Sequence, residues 1–293
     1  MTLAHLQSNR MGPSPFVKWA GGKSSLVREL IHHVPSHFAN YYEPFLGGGA
    51  FFFAVYSRNR IFRAILSDVN AELISAYEVI RDRPDDLIQL LSKLQDGYFL
   101  AATRSSYYYQ MRQWKTNNPI ESAARLIFLN KTCYNGLYRV NSRGDFNVPF
   151  GRYRNPKIVD PENIRAVSKA LRDTSAQLYC SNYKTIISRC DSRDLVYLDP
   201  PYQPRSRTSS FTGYTPGGFS EKDQEELAKE FKKLVARGCT VILSNSETPL
   251  TSRLYSDYPT KSVVVNRPIN SVGSGRTGYK ELIVFGISPP VAR

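Results

Sequence analysis

The chain reads as an α/β fold built on a mostly parallel sheet, with a helical insert tipped by a β-hairpin. Three observations lead there. Six short apolar runs, Tyr41–Phe45, Ile61–Leu66, Leu195–Leu198, Thr240–Leu243, Ser262–Val265 and Leu282–Phe285, are rich in β-branched or aromatic residues and bounded by polar or turn residues, as buried strands are. Between two of them, Ser220 caps a helix pattern carrying Leu227, Phe231, Leu234 and Val235 on one face and ending before Gly238. Strand, helix, strand order implies parallel pairing. From about Leu73 to Lys131 the periodicity becomes helical, with segments around Leu87–Leu94 and Ala123–Leu129 and few strand signals.

Taken in chain order, Phe16-Val17-Lys18-Trp19-Ala20-Gly21-Gly22-Lys23 comes first. Its Gly22-Lys23-Ser24 invites comparison with a phosphate loop, but the glycine a Walker loop needs five residues earlier is Val17, so an NTPase is not expected. A lysine amine and a flat indole suit a zwitterionic, purine-bearing cofactor; taken without the other motifs, Trp19 reads rather as a core residue and Lys23 as a surface one. The strand Tyr41–Phe45 runs into Glu43-Pro44-Phe45-Leu46-Gly47-Gly48-Gly49-Ala50, with a helix beginning near Ala50. Glycines there let backbone approach a ligand, or simply pack tightly, and the pattern is not that of a nicotinamide site. Asp68 ends the next strand, placed either for ribose hydroxyls or to cap a helix starting near Ala71.

After the helical stretch, Tyr138–Val140 and Phe146–Val148 flank Asn141-Ser142-Arg143-Gly144-Asp145 as a hairpin does. Between Arg125 and Lys157 lie seven basic residues (Arg125, Lys131, Arg139, Arg143, Arg152, Arg154, Lys157) and one acid, Asp145, so about +6 of the chain's net +14 is concentrated there. Such a cluster fits an arm that follows the phosphates of a duplex. The strand Leu195–Leu198 then delivers Asp199-Pro200-Pro201-Tyr202 to the edge where α/β folds bind ligands. The consecutive prolines stiffen the backbone, so the Asp199 carboxylate and the Pro200 carbonyl stand as two neighbouring acceptors. Two acceptors that bind both hydrogens of adenine's exocyclic amino group turn its lone pair outward, and Tyr202 offers a face for an extruded base. As an isolated tetrapeptide the motif is also a strand-ending turn. Gln203–Phe219, rich in Gly, Pro, Ser and Arg, reads either as a segment that orders on DNA or as a linker, and Arg267–Lys280 as a second basic loop able to follow a DNA backbone.

Composition bounds the rest. A length of 293 residues suits one catalytic domain with an insertion, since domains run to roughly 100–200 residues. The four cysteines, Cys133, Cys180, Cys190 and Cys239, form no Cys-x-x-Cys pair, so neither a zinc site nor a disulfide framework is expected. No basic segment followed by an apolar stretch opens the chain, and no run approaches the roughly 18 apolar residues of a membrane span, so a cytoplasmic protein without membrane partners is expected.

In this order, Phe16–Lys23, Glu43–Ala50, Asp68, Asn135–Tyr153 and Asp199–Tyr202 resemble the α-group arrangement of the Dam family of DNA adenine methylases, over nearly the whole chain except the extension before Pro15. Tyr134-Asn135-Gly136-Leu137-Tyr138-Arg139 and Arg143-Gly144-Asp145-Phe146-Asn147-Val148-Pro149-Phe150-Gly151-Arg152-Tyr153 look like the segment that reads GATC. The resemblance implies a Rossmann-like class I methyltransferase sheet and a target-recognition insert, with boundaries at 1–72, 73–157 and 158–293. It implies Trp19, Lys23, Gly47, Gly49, Asp68 and Asp199 around S-adenosylmethionine, and Asp199, Pro200 and Tyr202 at the target adenine. On double-stranded DNA it implies Arg139 against the guanine, Leu137, Pro149 and Tyr153 beside neighbouring bases, Asn135 in the same DNA-binding segment, and Tyr134 wedged into the duplex. Direct transfer without a covalent intermediate follows, so Cys133 is not a nucleophile; neither a metal nor an obligate protein partner is expected. Two rivals stand beside this reading: an RNA adenine methyltransferase, which the duplex-reading segment disfavours, and a DNA-binding regulator whose methylation site has decayed. Whether the enzyme is solitary or the protective partner of a restriction enzyme is left open.

Overall fold

A computed structural model of the chain describes residues 12–19, 23, 26–59, 61–201, 219–265 and 279–286. Among them, seven strands form one sheet: β1 (Asn40–Glu43), β2 (Arg63–Asp68), β3 (Gln177–Cys180), β4 (Leu195–Leu198), β5 (Thr240–Ser246), β6 (Thr260–Val265) and β7 (Tyr279–Gly286). Their spatial order is β3-β2-β1-β4-β5-β7-β6. The first five strands pair in parallel, while β7 runs antiparallel to both β5 and β6. This is the mostly parallel, Rossmann-like sheet expected of a class I methyltransferase. The chain moves outward from β1 through β2 to β3 and then returns to the other side of β1 as β4. Strand order therefore reverses between β1 and β4, which opens a crevice at their carboxyl ends.

Side-chain alternation explains why the sheet is covered on both faces. Tyr41, Leu66, Tyr197 and Ile283 enter one core, and their chain neighbours Tyr42, Ile65, Val196 and Val284 enter the other. The first face is covered by α2 (Ala50–Arg58), α3 (Ala71–Asp82) and α7 (Pro161–Asp173), the second by α8 (Tyr183–Ile187), α9 (Glu221–Ala236) and α10 (Pro249–Leu254). A short α1 (Val27–Leu30) precedes β1, and α4 (Pro84–Leu100), α5 (Arg104–Gln113) and α6 (Pro119–Thr132) follow α3. Helix starts are written in capping residues. The side chains of Asn70, Thr103, Asn118, Asp160 and Ser220 accept backbone N–H groups at the starts of α3, α5, α6, α7 and α9, and proline opens α4, α6 and α7. The core of α4 to α6 runs without a break into that of the sheet: Tyr98, Tyr108 and Phe128 belong to the same buried cluster as Phe51 and Tyr197.

Four expectations need correction. The strand β3 carried no apolar-run signal, because it lies at the sheet edge and its residues are only partly buried. β1 stops at Glu43 because Pro44 has no N–H to give to the ladder. β2 starts at Arg63, since Ile61 is 90% exposed. The hairpin is not a ladder: Val140 and Phe146 form an isolated bridge, with Asn147 N–H donating to the Arg139 carbonyl and Gly144 at φ +81° in the turn. Tyr138 leaves the pairing to stack on Trp19, which prevents a regular strand before Arg139.

Candidate active site

β1 and β4 lie side by side, with Tyr41 opposite Leu195 and Tyr42 opposite Val196. The glycine turn after β1 and the Asp199 motif after β4 therefore share one crevice mouth. Lys23 Nζ lies 2.9 Å from Asp199 Oδ1, and Ser244 Oγ donates to the same oxygen at 3.0 Å. Ser244 is in turn within 2.8 Å of the buried Tyr197 hydroxyl. Asp199 Oδ2 has no partner among the described residues. Lys23 is only 4% exposed, and the buried carboxylate of Glu281, on β7, approaches it at 3.7 Å. Burial lifts the Asp199 carboxyl to about 6; Lys23 and Ser244 oppose the rise, and the charge of Glu281 adds to it. At neutral pH Asp199 is mainly an ionised acceptor.

Gly47 (φ +48°) and Gly49 (φ +69°) occupy the left-handed region, which suits glycine. Space is as tight as conformation: a Cβ on Gly47 would stand 2.8 Å from Trp19 Cδ1, and one on Gly49 2.7 Å from the Tyr77 hydroxyl. Gly47 N–H donates to Asp68 Oδ2 and Asn70 N–H to Asp68 Oδ1, both at 2.9 Å, while the Tyr77 hydroxyl donates to the Gly47 carbonyl. Asp68 thus braces the turn, and Asn70, not Asp68, caps α3. Burial raises the Asp68 carboxyl, and these backbone donors pull it back. Beside it, Ser181 N–H donates to the Asp68 carbonyl, and Phe45 stacks on Tyr183 at 5.1 Å to form an aromatic wall.

Glu43 sits beneath this turn, 2% exposed. Tyr41 donates to it at 2.6 Å, and the N–H of Phe52 in the first turn of α2 donates as well. Gly49 offers α2 no side-chain cap, so the carboxyl of Glu43 substitutes for one from the preceding strand. Burial drives Glu43 up to about 8, partly countered by the Tyr41 hydroxyl.

The segment from Tyr134 onward forms a second surface. A 3-10 turn spans Tyr134–Gly136, with Asn135 at φ +56° and Gly136 at φ +65°. Tyr134 N–H donates to the Pro149 carbonyl at 2.8 Å, and Cys133 bridges Phe150 just below, so Tyr134 and Pro149 emerge together. Tyr134, Arg139 and Pro149 are exposed; Asn135, Leu137 and Tyr153 are half-buried. Arg139 Nε donates to Asn147 Oδ1 at 2.6 Å, which holds the guanidinium against the turn. Lys18 Nζ lies 4.9 Å from the centre of the Tyr153 ring. Cys133 is buried, its thiol is pushed up to about 12, and its Sγ donates to the Leu137 carbonyl at 3.2 Å, which leaves no reactive thiolate.

Of the residues singled out from sequence, Lys23 and Asp199 meet directly, Gly47 and Asp68 meet directly, and Trp19 contacts the turn at Gly47. Tyr202, residues 20–22, all of Gln203–Phe219 except Phe219, and residues 267–278 of the second basic loop lie outside the described residues. Sequence reasoning assigned no role to Glu43, Ser244, Glu281, Asn130 or Tyr138. The available signal was an acid within or beside an apolar strand run, as Glu43 is inside Tyr41–Phe45 and Glu281 immediately before Leu282. No group of three His, Cys, Asp or Glu residues among those described is placed to hold a metal ion, and no helix among them is long and apolar enough to cross a membrane.

Comparison with known proteins places this geometry in a context. Residues 19–269 match a family model described as D12 class N6 adenine-specific DNA methyltransferase. The chain is 40% identical to the type II methyltransferase M.MjaIII of Methanocaldococcus jannaschii, covering 94% of this chain and 99% of the relative. It is 38% identical to the type II methyltransferase M1.LlaDCHI of Lactococcus lactis subsp. cremoris (95% and 97% covered), and 37% identical to the DNA adenine methylase of Escherichia coli (92% and 94%).

Proposed function

The chain belongs to the D12 class of N6 adenine-specific DNA methyltransferases, and from that premise we propose that it acts on an adenine extruded from duplex DNA within GATC, with S-adenosylmethionine as donor. The observation that carries the chemistry is the crowding of Lys23 and Ser244 onto one oxygen of Asp199. Oδ2 is then the acceptor for one N6 hydrogen and the Pro200 carbonyl for the other. Holding both favours a pyramidal nitrogen, and Asp199 stabilises the positive charge that grows on it. Its proton needs no strong base, because the methylated amine is acidic before it returns to neutrality.

The lining of the crevice supports this choice of donor. Two glycines that cannot carry a Cβ, an indole against one of them, the Asp68 carboxylate and the Phe45–Tyr183 wall match a ligand with a purine, a ribose diol and an amino-acid group. Trp19, Lys23, Gly47, Gly49, Asp68 and Asp199 would line it. Bound there, S-adenosylmethionine supplies an electrophilic methyl group. No metal enters this reading.

Residues 73–157 act as the target-recognition insert between the catalytic segments 1–72 and 158–293. In that insert Arg139 pairs with guanine in the major groove, Asn135, Leu137, Pro149 and Tyr153 meet neighbouring bases, and Tyr134 wedges beside the vacated adenine site. Tyr202 stacks on the extruded base. The test is transfer of radiolabelled methyl to matched duplexes carrying GATC or a one-base variant, with Asp199→Ala as control. Label confined to adenine of the GATC duplex and lost in the control supports the reading; equal label on both duplexes removes the GATC assignment. Label on structured RNA instead of either duplex overturns the DNA substrate.

A further inference from the structure

The segment Phe16–Trp19 lies between the two surfaces described above and is fastened to both. On the recognition side the fastener is Asn130, fully buried near the end of α6. Lys18 N–H donates to Asn130 Oδ1 at 2.7 Å, and Asn130 Nδ2 donates to the carbonyls of Lys18 at 2.8 Å and Gly136 at 3.0 Å. One amide side chain thereby ties both backbone groups of Lys18 to the Tyr134–Gly136 turn. Gly136 leaves no room for a Cβ, which would overlap the Lys18 stem. One residue on, the Trp19 indole stacks on Tyr138 with ring centres 5.2 Å apart and planes 28° from parallel. Tyr138 stands between Leu137 and Arg139 in sequence, and its hydroxyl donates to Glu72, which also pairs with Arg125. On the cofactor side, Trp19 Cδ1 is the atom that a Cβ on Gly47 would meet, and a Cβ on Gly48 would stand 3.6 Å from the Val17 carbonyl.

We propose that Asn130 and Tyr138 are positioning residues that couple the reading of the target sequence to the cofactor site through Lys18 and Trp19. The coupling rests on the reading of the two surfaces given under the proposed function. Its physical basis is that the segment has one backbone position compatible with both the Asn130 hydrogen bonds and the fit of Trp19 against Gly47. A shift of Tyr138 or the Tyr134–Gly136 turn on cognate DNA is therefore delivered to Trp19, and cofactor binding feeds back equally, as linkage requires.

The experiment measures the affinity of the full chain for the donor on a GATC duplex and on a one-base variant, read with S-adenosylhomocysteine, which has no methyl group to transfer, and takes the ratio. Asn130→Ser, Tyr138→Leu and the double variant are compared with wild type, with thermal melting as a check on folding. The proposal expects wild type to bind the donor more tightly on GATC, and each single variant to lose at least fivefold of that preference while binding the donor without DNA within about twofold of wild type. The double variant is expected to lose no more than the more severe single one. Variants that keep the wild-type ratio overturn the coupling, even where affinity falls on both duplexes alike, which is what a purely structural role would give. A wild type with no preference between duplexes, and no difference in methylation either, overturns the underlying reading and the coupling with it.

Discussion

Replacing Glu43 with Gln gives the sharpest test of the buried carboxyl beneath the glycine turn. The carboxyl is raised from 4.5 to about 8 in the folded chain, chiefly by burial. In the unfolded chain it ionises near its ordinary value, so folding retains a proton that the unfolded state releases. The contribution to stability is complete below pH 4.5 and is lost as pH rises through about 8. Each unit of separation is worth about 1.4 kcal/mol, so wild type loses about 3 kcal/mol relative to Glu43→Gln between pH 5.5 and 7.5. Gln retains an oxygen for the Tyr41 hydroxyl and the Phe52 N–H, and any fixed cost of its amide is the same at every pH. Other titrating groups act in both proteins and cancel in the difference. Urea denaturation of the two proteins at half-unit pH steps measures it. Stability curves that stay parallel from pH 5.5 to 8 would refute the burial argument and mean that Glu43 is already ionised in the folded protein.

The rate of methyl transfer in a single turnover should rise with pH around a midpoint near 6, because Asp199 accepts hydrogen bonds as a carboxylate and is protonated below that value. Glu281→Gln should move this limb to lower pH, since the charge it removes raises Asp199; a limb that stays in place breaks the assignment. Arg139→Ala should cost about 1–3 kcal/mol of discrimination at the guanine, roughly 5- to 150-fold, read as the ratio of kcat/KM on GATC to that on a duplex altered at that base. Gly47→Ala should sharply weaken binding of S-adenosylmethionine in calorimetry while leaving non-specific DNA binding intact, because the new Cβ meets Trp19 at φ +48°; unchanged affinity would remove the turn from the cofactor site.

Much of this was legible in the sequence because it depends on local chemistry. The strands β4 and β5 and the helix α9, with Ser220 at its start and Gly238 beyond its end, follow from apolar runs and caps alone. The meeting of Lys23 with Asp199 was legible only as a shared role, since 176 positions separate them and no local pattern announces an ion pair. β3 was hidden because an edge strand with partly buried residues has no apolar run to show. Asn130 and Ser244 were hidden for a related reason: one buried Asn or Ser in an apolar stretch looks like an interruption until the fold supplies its partners. The hairpin departs from a regular ladder because turn chemistry is right at Gly144 while the side chain of Tyr138 has a better partner outside the pair.

The unbroken core beneath α4, α5 and α6 bears on how such an enzyme can acquire a new target. An insert with its own interior can be exchanged whole, like a tool in a holder. Here Tyr98, Tyr108 and Phe128 interlock with the residues that support the sheet, and transplanting the helices would leave mismatched volumes on both sides of the join. Residues exposed at the tip, Tyr134, Arg139 and Pro149 among them, can vary without disturbing that interior. If these residues read the target as proposed, a change of specificity is more accessible by point substitution at the rim than by shuffling of segments.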